Sequence, residues 1–304
     1  MRKSATFFVL FLAVFARAQF VEVGGAYVPE SNYYKKNGDR VEGASTRLQD
    51  YNVAATMPFM FNIDSAAHKM SIWMASVSYR YVDLHFHKVP TDYPDHNTTA
   101  MLMIMNMRGF PKQWFLMGGI GGGVQGESSH TNEHSLVAVG MLNFYKRYKY
   151  VDLGVGLIAT NMMDTFIMLP LPVLALHIGD RLAFTMGQFG GYQLKYKFND
   201  YFALAAVSKG TGVTTIVERR NDEGEKKVKT FNFSQEVFGL EPTVRLGHSM
   251  FYVSVLGGVA YRRTFRLYTK SFIVMLRESF MRDAAESDVE PYISGKISFR
   301  LVPN

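Results

Sequence analysis

Along much of this chain, apolar residues alternate with small or polar ones at a period of two, and that period commits a chain to β-strands. The last segment shows it most cleanly: Ile293, Ile297, Phe299 and Leu301 share a face with Gly295, while Ser294, Lys296, Ser298 and Arg300 share the other. Between 150 and 160, Val151, Leu153, Val155, Leu157 and Ala159 oppose Tyr150, Asp152, Gly154, Gly156 and Thr160, with Ile158 out of step. Tyr192, Leu194, Tyr196 and Phe198 oppose Gln193, Lys195 and Lys197, and Phe238, Leu240, Val244 and Leu246 oppose Glu241, Thr243 and Arg245. The second face mixes small residues with charges of both signs, which suits a lumen; a sandwich facing water would carry more Lys, Glu and Thr there. Aromatic residues recur near segment ends (Tyr27, Tyr51, Phe61, Trp73, Tyr81, Trp114, Tyr150, Tyr201, Tyr261, Tyr292), as two interfacial girdles require. The fold class expected is all-β, an antiparallel transmembrane β-barrel.

Helical membrane spans are excluded, because no later segment reaches the ~18 consecutive apolar residues that one needs. The longest apolar stretch, 166–178, contains His177 and is broken by Pro170 and Pro172. The chain opens with basic Arg2 and Lys3, an apolar run over 5–15 and the small-x-small trio Ala16, Arg17, Ala18. This reads as a cleaved secretory signal peptide over 1–18, followed by a single barrel domain over 19–304. Its removal takes away three cations and lowers the formal net charge from +7 to +4, so a nucleic-acid partner loses its main support. With no cysteine, disulfide frameworks, thiolate metal sites and thiol catalysis are excluded, and no cofactor is expected.

Thirteen segments read as strands: 20–28, 49–61, 70–87, 99–108, 114–125, 135–145, 150–161, 166–178, 182–198, 201–217, 236–246, 250–264 and 289–302. A closed single-chain barrel takes an even number. Folding 162–181 over as a loop gives twelve strands, the preferred count; splitting 182–198 at Gly190 and Gly191 gives fourteen, the alternative. In both, short turns at 62–69, 109–113, 146–149, 199–200 and 247–249 fall on one side. Long polar segments at 29–48, 88–98, 126–134, 218–235 and 265–288 fall on the other, the pattern of short periplasmic turns and long external loops. Within 70–87 the apolar phase moves from Trp73, Ala75, Val77, Tyr79 and Tyr81 to Val82, Leu84 and Phe86, which predicts a bulge near Tyr81. Segments 101–107 and 135–145 are apolar on both faces, so one face of each packs inside the barrel. A loose apolar face on 271–286 predicts a loop helix.

The signal, the dozen alternating segments and the closing strand over 292–301 together resemble bacterial outer-membrane β-barrel proteins. The Leu169, Pro170, Leu171, Pro172 run followed by the alternation at 192–198 is similar to uncharacterised outer-membrane barrel families of Gram-negative bacteria. The resemblance implies an outer-membrane location, with membrane lipid, lipopolysaccharide and the barrel-assembly machinery as partners. It assigns no active residue.

Glu22, Arg80, Asp152, Lys195, Lys197, Glu241, Arg245, Lys296 and Arg300 fall on the inward face, where they either line a pore or neutralise one another as a plug. Cations predominate among them, so a pore would lean towards anions. Asp83, His85 and His87 share one face near the outer mouth, a weak candidate for a metal site or a base with its orienter, read first as a polar rim. Glycines 121, 123 and 126 fit G-x-G-x-x-G, but no helix follows, so a nucleotide site is rejected. The expected role is passive passage or binding of a small solute. A non-conducting structural or surface-recognition barrel is the alternative, and an outer-membrane enzyme using the His/Asp rim is the second.

Overall fold

In a computed structural model of the protein, residues 20–64, 69–89, 91, 93–127, 135–161, 166–186, 191–220, 226–247, 250–268 and 284–300 are described. The expected signal segment lies outside them. The strands are β1 (Phe20–Tyr34), β2 (Arg40–Asp64), β3 (Lys69–His87), β4 (His96–Phe110), β5 (Trp114–Gly126), β6 (Leu136–Arg147), β7 (Val151–Thr160) and β8 (Ile167–Ile178), followed by β9 (Leu182–Met186), β10 (Tyr192–Lys197), β11 (Phe202–Arg220), β12 (Lys226–Arg245), β13 (Phe251–Tyr268), β14 (Ala285–Ser287) and β15 (Glu290–Arg300). β1 to β13 pair antiparallel in chain order, and β15 closes the ring by running between β13 and β1. Short β14 sits above β15 on the same stave, so the described residues form a closed barrel of fourteen staves.

The count is therefore fourteen and not the preferred twelve. Residues 167–178 are a strand, and 182–198 is two. Pro170 and Pro172 are tolerated in β8 because β9 ends at Met186, opposite Leu174. Above that point, among the described residues, β8 is paired to β7 alone, and an edge position accommodates a residue without an N–H. Two of the expected external loops are corrected as well. Residues 29–48 and 218–235 are mostly strand: β1 and β2 run on to a tight turn near Lys35, whose amide bonds the Asp39 carbonyl at 2.9 Å, and β11 pairs with β12 as far as Arg220 and Lys226. Polar composition there reflects strands that rise beyond an apolar belt. Of the expected loop helix over 271–286, residues 285 and 286 pair within β14 and 271–283 lie outside the described residues.

The outward face carries the apolar alternation. Val23, Leu153, Val155, Leu194, Leu240, Val255, Ile293 and Ile297 are all exposed. Exposed Tyr27, Tyr51 and Tyr79 lie towards one rim, and Phe61, Tyr150, Phe198 and Tyr201 towards the other. Tyr292 is a correction to the girdle: it points inward and is buried, with the Lys209 ammonium 5.6 Å from its ring centre.

No bulge interrupts β3 near Tyr81; its register is continuous with β2 from Ser45 opposite His87 to Pro58 opposite Met74, and with β4 throughout. The irregularity falls instead on β2, between Pro58 and Met60. What shifts along β3 is the environment. Its outward face leaves the apolar belt and turns polar at Asp83, His85 and His87, while its inward face enters a packed core and turns apolar at Val82, Leu84 and Phe86.

That core fills the barrel between the upper parts of β1–β3 and β11–β13. Phe265 packs against Tyr33, Phe86, Tyr93 and Phe233 with ring centres 5.1–6.3 Å apart. Tyr93, from the β3–β4 connection, folds into it, and its hydroxyl shares a 3.2 Å hydrogen bond with that of Tyr33. Burial of rings in this number supplies a large apolar area inside the barrel.

Candidate functional site: the barrel lumen

Inward positions of β10–β13 and β15 enclose a cavity of about 480 Å³ at the end carrying the termini. Lys195, Lys197, Glu241, Arg245 and Lys296 all line it, joined by Asp180 and Asp200 from the turns. These five sequence candidates come from three strands, β10, β12 and β15, and the alternation brings them together. Lys296 faces Glu22 across the β1–β15 seam at 3.7 Å. Lys197 bonds Asp200 at 2.8 Å, and that ammonium holds the exposed Asp200 carboxyl below the usual carboxylate range. The turn itself is built by Asn199, whose Oδ1 accepts from the amides of Tyr201 and Phe202, both at 2.8 Å.

Asp152 also points inward but stands apart from this group. Arg147 grips it bidentately, at 3.0–3.2 Å, and His177 Nε2 lies 3.8 Å away. Neither partner was legible in the alternation, because both flank turns; the signal was the register that a short hairpin imposes, setting Arg147 opposite Asp152. Arg300 pairs with Phe20 at the end of β15, and its side chain lies outside what is described.

Arg80 does more than line the wall. It holds Asp50 with Nη2 to Oδ2 at 2.8 Å, and its Nη1 donates to the Gly212 carbonyl on β11, across the lumen, at 2.9 Å. Gln125 on β5 likewise donates to the Thr214 carbonyl. Among the described residues the pairing of β11 with β10 stops at Ser208, opposite Tyr192. Beyond that point β11 meets the far wall, where two side chains bond its Gly212 and Thr214 carbonyls. A second cavity, of about 1300 Å³, lies against this contact, lined by Arg80, Met101, Met103, Val137 and Val139 on one side and by β11–β13 on the other.

Asp83, His85 and His87 stay on the outward face above the belt, remote from both cavities in strand parity; His96 sits opposite Asp83 and stacks on Tyr81. Among the described residues no three His, Asp or Glu side chains are grouped to hold a metal.

Solved structures match the chain over most of its length at low identity. The COG4313 outer membrane channel from Pseudomonas putida F1 is 7% identical, with a TM-score of 0.44 over 93% of this chain and 96% of that one. The translocator domain of the autotransporter NalP from Neisseria meningitidis is 11% identical, with a TM-score of 0.31 over 98% and 97%. A Pseudomonas aeruginosa FadL homologue is 8% identical, with a TM-score of 0.32 over 93% and 90%. No curated protein matches the sequence. The family model described as Domain of unknown function (DUF6268) matches residues 14–300, and this chain, a closed fourteen-stave barrel, belongs to that family.

Proposed function

We propose that this protein is an outer-membrane barrel that binds a small solute and passes it through a gated lumen. The observation that carries the reading is the pair of lumen cavities, about 480 and 1300 Å³, inside a wall whose outward face is an apolar belt between aromatic rims. Outer-membrane lipid and lipopolysaccharide are its surroundings, and the barrel-assembly machinery inserts it after export. The wall near the start of β1 carries Lys195, Lys197, Arg245 and Lys296 against Asp180, Asp200 and Glu241, and this small excess of cations favours anions mildly at that end. In this reading the protein is not an enzyme, and Asp83, His85 and His87 are a hydrated rim.

Planar-bilayer recording tests it: purified protein gives discrete openings, with larger flux for anions than for cations of equal size. A correctly folded barrel that stays silent under every voltage overturns passage. One observation favours a second reading, a barrel that does not conduct. The aromatic core and the Arg80 and Gln125 contacts close part of the mouth. Silence in both the wild type and Arg80→Ala supports that alternative.

A further inference from the structure

The inward face of β4 is a row of thioethers: Met101, Met103, Met105 and Met107 alternate with outward Leu102 and Ile104. Cross-strand register widens the row. Met105 lies opposite Met74 on β3 and Gly119 on β5, Met141 lies beyond Gly119, and Met107 lies opposite Met117. Glycines on β5 make room for these chains. A Cβ on Gly119 would stand 2.9 Å from Met105 Cγ, and one on Gly121 would overlap Met103 Cγ. The methionines therefore lie across β5 and present a broad apolar wall. They remain half-buried, unlike the sealed aromatic core. Unbranched, polarisable side chains of this kind mould to apolar bodies of varied outline.

The wall facing Met101, Met103, Val137 and Val139 across the larger cavity is polar, with Arg262 and Arg266 balanced in number by Glu236 and Glu286. Asn232 donates to Thr214 Oγ1 at 2.8 Å, and the Ser234 and Thr264 hydroxyls share a bond at 2.8 Å. Arg80, beside the methionines, is matched by Asp50 at 2.8 Å, and on the facing wall Arg262 is matched by Glu236 at 3.1 Å. One side thus asks for an apolar body and the other for a hydrogen-bonding group without charge. We infer that the larger cavity binds an uncharged amphiphile, its apolar body on the methionine wall and its hydroxyl-type head towards the Thr214–Asn232 side. The inference rests on the solute-binding reading above and names the solute's class.

Strand parity supplies the test. The barrel is placed in lipid nanodiscs with a diazirine-bearing decanol, irradiated, and mapped by mass spectrometry to single residues. Bilayer-dissolved label reaches outward Leu102, Ile104 and Leu142; bound label reaches Met101, Met103, Val137 and Val139. The expected result is inward labelling that excess decanol suppresses by about tenfold while outward labelling is unchanged. Paired Met101→Asp and Met103→Asp substitutions lower the inward signal by about fivefold, with the heat-dependent gel shift retained. Labelling confined to outward residues overturns the inference, as does inward labelling that decanol leaves untouched; neither arm requires a variant to fold. Suppression by sucrose but not by decanol sinks the amphiphile and leaves solute binding standing. Absence of both inward labelling and conductance sinks both readings.

Discussion

Single residues here act chiefly by reaching across space that strand pairing leaves unfilled. Arg80 bonds a strand on the far side of the lumen as well as its neighbour Asp50. Arg80→Ala removes the strut to Gly212, and a net contribution of about 1 kcal/mol translates into about a fivefold larger open fraction in bilayer recordings. An unchanged open fraction would remove the strut from the gating scheme. Asp200 gives a pH signature. Its carboxyl titrates low because it accepts a hydrogen bond from Lys197, so the contact is present above the ordinary carboxylate range and is lost as pH falls through the depressed value. A side-chain NMR titration should place the Asp200 midpoint below that of the same residue in Lys197→Ala. Gly123 is constrained by its neighbours, since a Cβ there would lie 2.9 Å from Met101 Cα and crowd Ala100. Gly123→Ala should cost about 1–3 kcal/mol, read as a lower urea midpoint. The charged lumen candidates were legible because alternation fixes inward and outward. Their partners were not: that Arg147 meets Asp152 depends on hairpin register, and that Arg80 meets Gly212 depends on how the whole ring bends.

At the level of elements, turn chemistry and packing divide the work. Asn199 folds the β10–β11 turn through two amide bonds, and Asn199→Ala should lower stability by about 1 kcal/mol without altering conductance. Phe265 is the hub of the aromatic core, touching rings from β1, β3, the β3–β4 connection and β12. Phe265→Ala should cost about 3–5 kcal/mol in urea unfolding and admit larger solutes in liposome-swelling assays. A variant equally stable and equally selective would show that this core neither holds nor closes the mouth. The sequence signals for this core were read as a bulge in β3 and as polar loops over 29–48 and 218–235. Period two reports which residues share a face; whether that face meets lipid, lumen or packed core depends on height along the barrel, which no local pattern encodes.

For the whole molecule, closure is the decisive property. It depends on β1 meeting β15 over eight paired positions, from Phe20 opposite Arg300 to Tyr27 opposite Ile293. Outer-membrane fractionation followed by gels of boiled and unboiled samples should show a heat-dependent shift. Truncation before Ile293 should abolish it, because an unpaired β1 and β13 would expose two strand edges to lipid. A soluble band without a shift would refute the membrane reading. Strand character, the sidedness of nearly every segment and the turn positions were determined by the sequence itself, since alternation and turn residues act within a few positions of one another. The stave count was decided only in three dimensions: β9 and β10 are 5 and 6 residues long, too short to be told from one irregular strand, and their separate places follow from pairing with β8 and β11. So were the bonds from Arg80 and Gln125 to β11 and the methionine wall. Each is made by residues distant in the chain, brought together when the ring closes.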